Sequence, residues 1–576
     1  MACQEWLAGA LPYAARSPSM LPILDVARKV GLSEDDLDLY GRYKAKIHLG
    51  ILDRFAQRGN GQGASGKYVA VTGITPTPLG EGKTVTTLGL AQSLDALGYR
   101  SLASIRQPSM GPTFGVKGGA AGGGQAQVVP ADDVNLHLTG DTHAVGAAQN
   151  LLAAAIDAHL FHGNALDIDP ESITSKRVLD LSDRALRHVV IGLGGKGNGA
   201  SRQTGFDLTP ASEVMGILAL STGLDDLRQR LGRMVVGFTQ GGSPVTADDL
   251  GAGGAMAVLL KDALLPNLLQ TLTGSPVFVH TGPFGNLGLG NSSVIADLIA
   301  LVLGDFVVTE CGFGADMGLE KLMHLKAPVA GLTPDCIVLV ATVRALKMHG
   351  GAGRAIAGRP LPRGLAEENV PALESGCANL VKQIANARRY GAPVVAAINV
   401  FPSDRPSEVA LLRRRAMEAG AIEACPFTGY QDGVAGGTEL AEAVAEACRN
   451  GGTRSGEQRP EQMPIKLQVE SIAREIYGAD GVDYSPEADL SIGRLESRGF
   501  GYLPVCMVKT PLSLSHDAKL LGAPTGFRLP VREVRPWIGA GLVHVICGDI
   551  QTMPGLPSTP SFKHIDLVHG EIVGLA

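Results

Sequence analysis

The sequence predicts an α/β fold with a largely parallel sheet, and three observations predict it. Short apolar, β-branched runs recur along the chain, helical patterns separate several of them, and one run passes through a Gly/Pro-rich turn directly into a helix. Strand, loop and helix in that order open a βαβ unit, and repeating the alternation places helices on both faces of a parallel sheet.

The elements follow in chain order. Residues 21–58 read as helical, with apolar Leu24, Val26, Val30 and Leu37 set among charges. Residues 68–74 form the β-branched run that ends in the Gly/Pro-rich turn, and 84–97 is the helix after it. Residues 101–105 form another short apolar run, and further buried-strand candidates are 187–193, 234–238, 276–280, 305–310, 335–341 and 393–400. Residues 352–376 look like a loop or inserted lid, and 449–462 like an exposed linker. After it 464–478 reads as helix, and a turn-rich region runs to 560.

Composition narrows the class. At about 150 residues per domain, a chain of this length holds roughly three to four domains. Hydrophobic residues make up 45% and charged residues 18%, which excludes a disordered chain. The net charge, 50 − 56 = −6, lacks the basic excess of a nucleic-acid binder, so any bound anion must be held by local cations and backbone N–H groups. None of the eight cysteines lies in a CxxC pair, which points to reduced thiols and a cytoplasmic location. No run of 18 apolar residues predicts a membrane span, the first 20 residues lack the pattern of a secretory signal, and Glu5 counts against an organellar leader.

The strongest local signal is Thr77-Pro78-Leu79-Gly80-Glu81-Gly82-Lys83-Thr84. It follows a predicted strand and opens a predicted helix, the context a phosphate-binding P-loop requires. Its backbone N–H groups suit phosphate oxygens, Lys83 suits the β- and γ-phosphates, and the Thr84 hydroxyl suits Mg²⁺. Thr77 stands where the usual pattern has its first glycine, which weakens a generic nucleotide-hydrolase reading; the bland alternative is an ordinary Gly-rich turn. Arg106 follows the 101–105 run, where a guanidinium grips carboxylate or phosphate with paired hydrogen bonds, or else is a surface arginine in a turn. The glycine-rich run 118–124 suits either wrapping a charged ligand or close packing. His137, Asp141 and His143 lie within seven residues without a standard zinc spacing, so structural or substrate-orienting roles are favoured over metal binding.

These segments resemble the formate–tetrahydrofolate ligases. The resemblance runs through 77–84 (the family also has Thr where the usual phosphate loop has Gly), 106–151, 178–184, 205–213, 259–268, 312–321, 341–347, 399–404 and 548–557. It covers about residues 20–570 of the chain. It implies a large P-loop NTPase-like α/β domain with a mostly parallel sheet and two smaller α/β domains, placed at 1–360, 361–460 and 461–576. It implies ATP-driven ligation of formate to tetrahydrofolate through formyl phosphate, with Mg²⁺, activation by K⁺ or NH₄⁺, and a homotetramer. By the same resemblance Thr77, Pro78, Gly80, Glu81, Gly82, Lys83 and Thr84 bind nucleotide, with Thr84 on the metal. Arg106 holds formate and then formyl phosphate. Phe401 and Tyr430 sandwich the pterin, and Asp141 or His137 accepts the amine proton.

The chain departs from the family pattern at Gln107, where Glu is usual, at Thr281 and Leu289, where Gly and His are usual, and at Tyr430, where Trp is usual. Gln107 removes a carboxylate and so weakens the expected monovalent-cation site. Two rival readings accompany these departures: a divergent paralogue that binds nucleotide or folate with little ligase activity, and a P-loop enzyme that phosphorylates a small carboxylate without folate. The aromatic pair and the full-length similarity argue against the latter.

Overall fold

Val, Ile and Ala dominate the central parallel strands, whose two faces are both covered, and polar residues are few along them. The computed structural model describes residues 20–58, 66–117, 119–286, 288–355, 360–450 and 463–575. Gly118 and most of the expected linker 449–462 lie outside these residues.

The chain is α/β, with a large mixed sheet that is mostly parallel. In spatial order its parallel run is Pro276–Val279, Ser101–Ile105, Phe306–Glu310, Lys67–Gly73, Cys336–Ala341, Val394–Asn399 and Glu423–Phe427. Antiparallel strands extend it beyond Pro276–Val279, beginning with Asn267–Thr271 and then Ala45–Ile47 and Leu37–Leu39. Within 361–460, the strands Val394–Asn399 and Glu423–Phe427 belong to this same sheet. Residues 463–575 carry a separate four-stranded sheet over its own apolar core.

Side-chain alternation divides each central strand between two cores. Val69, Val71, Val338 and Val340 pack with Leu88 and Leu90 of the Lys83–Ala96 helix and Val444 of the Thr438–Asn450 helix. Ala70, Ile337 and Leu339 face the other way, onto Leu346 of the Val343–His349 helix and Leu380 of the Val370–Arg388 helix.

Several sequence expectations need correction. The 187–193 and 234–238 runs form strands Val189–Ile191 and Val235–Phe238, but each pairs in a small antiparallel hairpin outside the main sheet. Val189–Ile191 is only partly covered, so its apolar content does not mark a buried strand. Residues 21–58 are not one helix: Ile23–Lys29 ends before Gly31 in a left-handed conformation, and two short strands intervene before Gly50–Arg58. The loop expected over 352–376 gives way to helix at Val370, where the Asn369 side chain caps the Ala372 N–H. The turn-rich region before 560 contains helix Pro486–Glu496 and strands of the second sheet.

Buried charges fasten this second sheet to the first. The Lys509 ammonium donates to Asp316 Oδ2 at 2.9 Å and to the Ser513 carbonyl at 2.6 Å, while Gln383 donates to Asp316 Oδ1 at 2.6 Å. Both charged groups are fully buried, so the interior tolerates each only because the other is present.

Thr281, just past the Pro276–Val279 strand, carries its own strain. Its φ is 51°, its hydroxyl is buried without a partner, and left-handed backbone suits a β-branched residue poorly.

Lys509→Ala should lower the unfolding free energy by about 3–5 kcal/mol, because it strands the Asp316 charge. The Asp316→Asn/Lys509→Met double variant should recover most of that loss in urea denaturation; equal losses would rule out charge pairing as the cause. Thr281→Gly should gain about 1 kcal/mol, as relief of roughly 1–2 kcal/mol of left-handed strain outweighs glycine's extra chain entropy of about 0.5–1 kcal/mol. A lower melting midpoint would contradict it.

Candidate active site

The parallel strands all point their carboxyl ends to one edge, where α/β proteins place ligand sites. The chain leaves Lys67–Gly73 through the turn at 74–82 and enters helix Lys83–Ala96. Gly80 and Gly82 both take φ of 74°, a left-handed conformation that glycine adopts without penalty. A Cβ on Gly82 would lie 2.3 Å from the Asn399 amide nitrogen, so close approach also requires glycine there. The Lys83 stem lies against Gly73, where an added Cβ would stand 3.4 Å from its Cδ.

The turn is braced from within. Glu81 Oε1 accepts from the Thr77 N–H at 2.7 Å and the Thr77 hydroxyl at 2.9 Å, and Oε2 accepts from the Thr342 hydroxyl at 2.5 Å. Thr77 thus has a use that a glycine could not fill. The buried Glu81 carboxylate faces these donors, which leaves its backbone as the part suited to an anion. Thr75, at the start of the turn, is held by Asn379, Gln383 and His349.

The two anion-binding candidates meet at Glu310, the last residue of the Phe306–Glu310 strand. That strand lies between Lys67–Gly73, which leads to the phosphate-loop turn, and Ser101–Ile105, which leads to Arg106. Glu310 Oε2 accepts from the Thr84 hydroxyl at 2.7 Å, and Oε1 lies 3.4 Å from Arg106 Nε. Arg106 Nη1 donates to the Pro283 carbonyl at 3.1 Å, while its buried Nε has no hydrogen-bond partner. Gly312 leaves room for this guanidinium, since a Cβ there would lie 3.2 Å from Nη2. The following turn is anchored by Asp180, which accepts from the Ser109 hydroxyl at 2.6 Å and the Met110 N–H at 3.1 Å. Burial pushes the Asp180 carboxyl up to about 6, against the downward pull of those two donors.

Phe401 and Tyr430 follow two neighbouring strands, Val394–Asn399 and Glu423–Phe427. The Arg344 guanidinium lies 3.8 Å from the centre of the Phe401 ring and donates to the Gly80 carbonyl at 3.3 Å, which ties this ring to the phosphate loop. Tyr430 is 50% exposed, and its carbonyl accepts from the Gln125 N–H at 2.9 Å. A Cβ on Gly124 would stand 2.1 Å from that carbonyl oxygen. Close packing is therefore a role of the described part of the glycine run.

His137 and Asp141 occupy the other flank. Asp141 is buried, accepting from Lys46 Nζ at 2.8 Å and from the Asn267 amide at 2.7 Å. Asn267 pairs with Val279, and Val279 pairs with Ile105, the residue before Arg106. Two strand spacings of about 4.8 Å thus separate the backbones of Asn267 and Ile105. His137 is exposed, with Nδ1 2.9 Å from His143 Nε2. His280 is buried between the Ser293 hydroxyl and the Ala263 carbonyl, and burial lowers its imidazole to about 4. The carbonyl can only accept, so Nε2 carries the proton of this neutral ring.

Glu310, Thr342, Asn399 and Arg344 were not anticipated as site residues. A charged residue closing an apolar run, as in Phe306–Glu310, is the available signal for the first. The other three stand in segments already quoted for the resemblance, without a role.

Among the described residues, no helix is long and apolar enough to cross a membrane. The family model described as formate–tetrahydrofolate ligase matches residues 13–576. A formate–tetrahydrofolate ligase of Roseiflexus sp. (strain RS-1) is 56% identical over 98% of this chain and 99% of its own. Those of Desulforamulus reducens and Saccharopolyspora erythraea are each 53% identical, over 97% and 98% of this chain respectively and 98% of their own. A match along nearly the whole chain, including both the phosphate-loop turn and Arg106, places this protein in the formate–tetrahydrofolate ligase family.

Proposed function

We propose that the protein joins formate to tetrahydrofolate at the expense of ATP, forming 10-formyltetrahydrofolate, ADP and phosphate through formyl phosphate. The observation that carries this reading is the meeting of Thr84 and Arg106 on the two oxygens of Glu310. A phosphate loop and a carboxylate-binding guanidinium a few ångströms apart suit phosphoryl transfer to a small acid. No structural observation favours a binding paralogue without turnover.

The donor set fits a magnesium nucleotide. A hydroxyl, a carboxylate and a lysine beside left-handed glycines supply hard oxygens, positive charge and open backbone. Thr84 would hold the ion, whose positive charge would offset the negative charge of the phosphates. Lys83 neutralises the same phosphates. Arg106 orients formate through the outer nitrogen Nη2 of its guanidinium, which faces Gly312, while Nε faces Glu310.

A formate oxygen attacks the γ-phosphorus; that O–P bond forms as the bond to ADP breaks. Positioning and charge neutralisation dominate such a step. The N10 amine of the folate then attacks the formyl carbon, phosphate leaves, and the amine proton passes to a base. We assign the proton to the exposed His137 and leave Asp141, buried and ion-paired with Lys46, to hold its loop in place. Phe401 and Tyr430 provide aromatic faces for the pterin, and the turns at 312–314 and 119–124 limit access of water to the mixed anhydride. The three domains and the homotetramer belong to the same reading. The exposed apolar Val258 and Leu259 on helix Gly253–Leu260 support association.

Purified protein supplied with ATP, formate and tetrahydrofolate should give 5,10-methenyltetrahydrofolate on acidification. Lys83→Ala and Arg106→Ala should each lower kcat by about 10²-fold or more. Formate-dependent ADP without folate product would instead indicate a carboxylate kinase, and ligand binding without turnover a binding protein. Gln107→Glu should lower the K⁺ concentration for half-maximal activation, because it restores a carboxylate beside Arg106; an unchanged K⁺ response would refute that role.

A further inference from the structure

We propose that Arg344 is a positioning residue for the folate: it fixes the Phe401 ring against the phosphate-loop turn, so that the pterin meets a ring held in one place. This rests on the reading of Phe401 as a folate-stacking residue and assigns the group that holds it.

Arg344 stands in the first turn of helix Val343–His349, most of whose residues are buried. The start of this helix is pinned to the phosphate-loop turn. There Thr342 donates to Glu81 Oε2 at 2.5 Å and accepts from the Ala345 N–H at 3.2 Å. The Arg344 side chain therefore leaves a fixed base. Its guanidinium lies over the Phe401 ring, 3.8 Å from the ring centre, and donates through Nη2 to the Gly80 carbonyl at 3.3 Å.

Little else holds this half-buried cation. Its buried Nε has no hydrogen-bond partner. Burial lowers its affinity for the proton, against the charges of Glu81 and Asp404. Both acids are committed elsewhere: Glu81 to Thr77 and Thr342, and Asp404 Oδ2 to the Phe401 N–H at 2.9 Å. The ring is thus the main partner of the cation, and the cation restrains the ring.

The backbone of the 401–404 turn is set separately. The Asp404 N–H donates back to the Phe401 carbonyl at 2.9 Å, which closes that turn without Arg344. Asn399 joins the end of its strand to the phosphate loop, donating to the Glu81 carbonyl at 3.1 Å. What Arg344 adds is control of the side chain. A guanidinium on one face of Phe401 leaves the pterin the opposite face. A ring already clamped also loses less freedom when a ligand stacks on it, which favours binding. An ammonium has no flat face to lay on the ring, so lysine replaces only part of this function.

Steady-state kinetics of a double-mutant cycle in the full-length protein, at saturating ATP and formate, tests the assignment. Arg344→Met keeps a long stem but removes the charge and the flat face. It should raise the tetrahydrofolate KM by about fivefold or more, the loss expected of a partly desolvated cation–π contact. In a separate titration its formate KM should stay within about twofold of wild type, since Arg106 is untouched. Phe401→Leu should raise the tetrahydrofolate KM by itself. Adding Arg344→Met to it should then cost less than about twofold, because the ring through which Arg344 acts is gone. Arg344→Lys should give an intermediate KM, and it takes the place of the methionine variant in the cycle if that variant fails to fold. Additive effects of the two substitutions would mean that Arg344 acts without the ring and would overturn the proposal. So would a fall in kcat with every KM unchanged, the mark of a purely structural role. An unchanged tetrahydrofolate KM in Phe401→Leu would overturn it from below, by removing the stacking reading on which it stands.

Discussion

Glu310 carries a negative charge into a region walled by parallel strands, where a carboxylate is tolerated only with strong partners. Its two oxygens face the first turn of the helix after the phosphate loop and the guanidinium after the neighbouring strand. That arrangement depends on strand order. Lys67–Gly73 and Ser101–Ile105 are successive strands in the chain, yet Phe306–Glu310 lies between them. Were they direct neighbours, no side chain from a strand between them could link the two loops. The late strand therefore brings the 74–82 turn and Arg106 together on one carboxylate.

The loops around this carboxylate are held by two other acids, the buried Glu81 and the half-buried Asp180. Glu81 fixes the phosphate-loop turn through Thr77 and Thr342, and Asp180 fixes the turn after Arg106 through Ser109 and Met110. Each acid accepts from backbone N–H groups as well as hydroxyls, so each sets main-chain geometry. Phosphoryl transfer relies on charges already in position, and a loop held in this way needs little rearrangement when substrates arrive. The braces come from neighbouring strand ends and loops: Thr342 follows Cys336–Ala341, and Asp180 follows Arg177–Leu179.

The central sheet was legible because its strands are continuous apolar runs joined by helical patterns. The same signal misled at 187–193 and 234–238, since local sequence does not reveal which partner a strand finds. The second sheet was hidden for a different reason. Arg528–Trp537 alternates charged and apolar residues and contains two prolines, which locally reads as turn. The phosphate loop was legible because its chemistry lies within eight consecutive residues. Glu310 was not, because its hydrogen-bond partner Thr84 is 226 residues away. The Glu81–Thr342 contact spans 261 residues and escaped for the same reason.

Two of the departures from the family pattern form a single physical unit. The Gln107 N–H donates to the Thr281 carbonyl at 2.6 Å, and an added Cβ on Gly282 would stand 2.6 Å from the Gln107 carbonyl. A residue one position beyond Arg106 is thereby locked to a strained residue just past the neighbouring strand. Changes at directly bonded neighbours rarely act independently. Leu289 is a different case: it is buried in the main core, so an imidazole in its place would have to find a partner there or remain unsatisfied. Tyr430 is different again, because its backbone is fixed by Gln125 while half of its surface stays open. Substitution at 430 can alter this exposed ring surface without disturbing the loop that carries it. A swap at 107 or 281 also alters the wall against which Arg106 is placed.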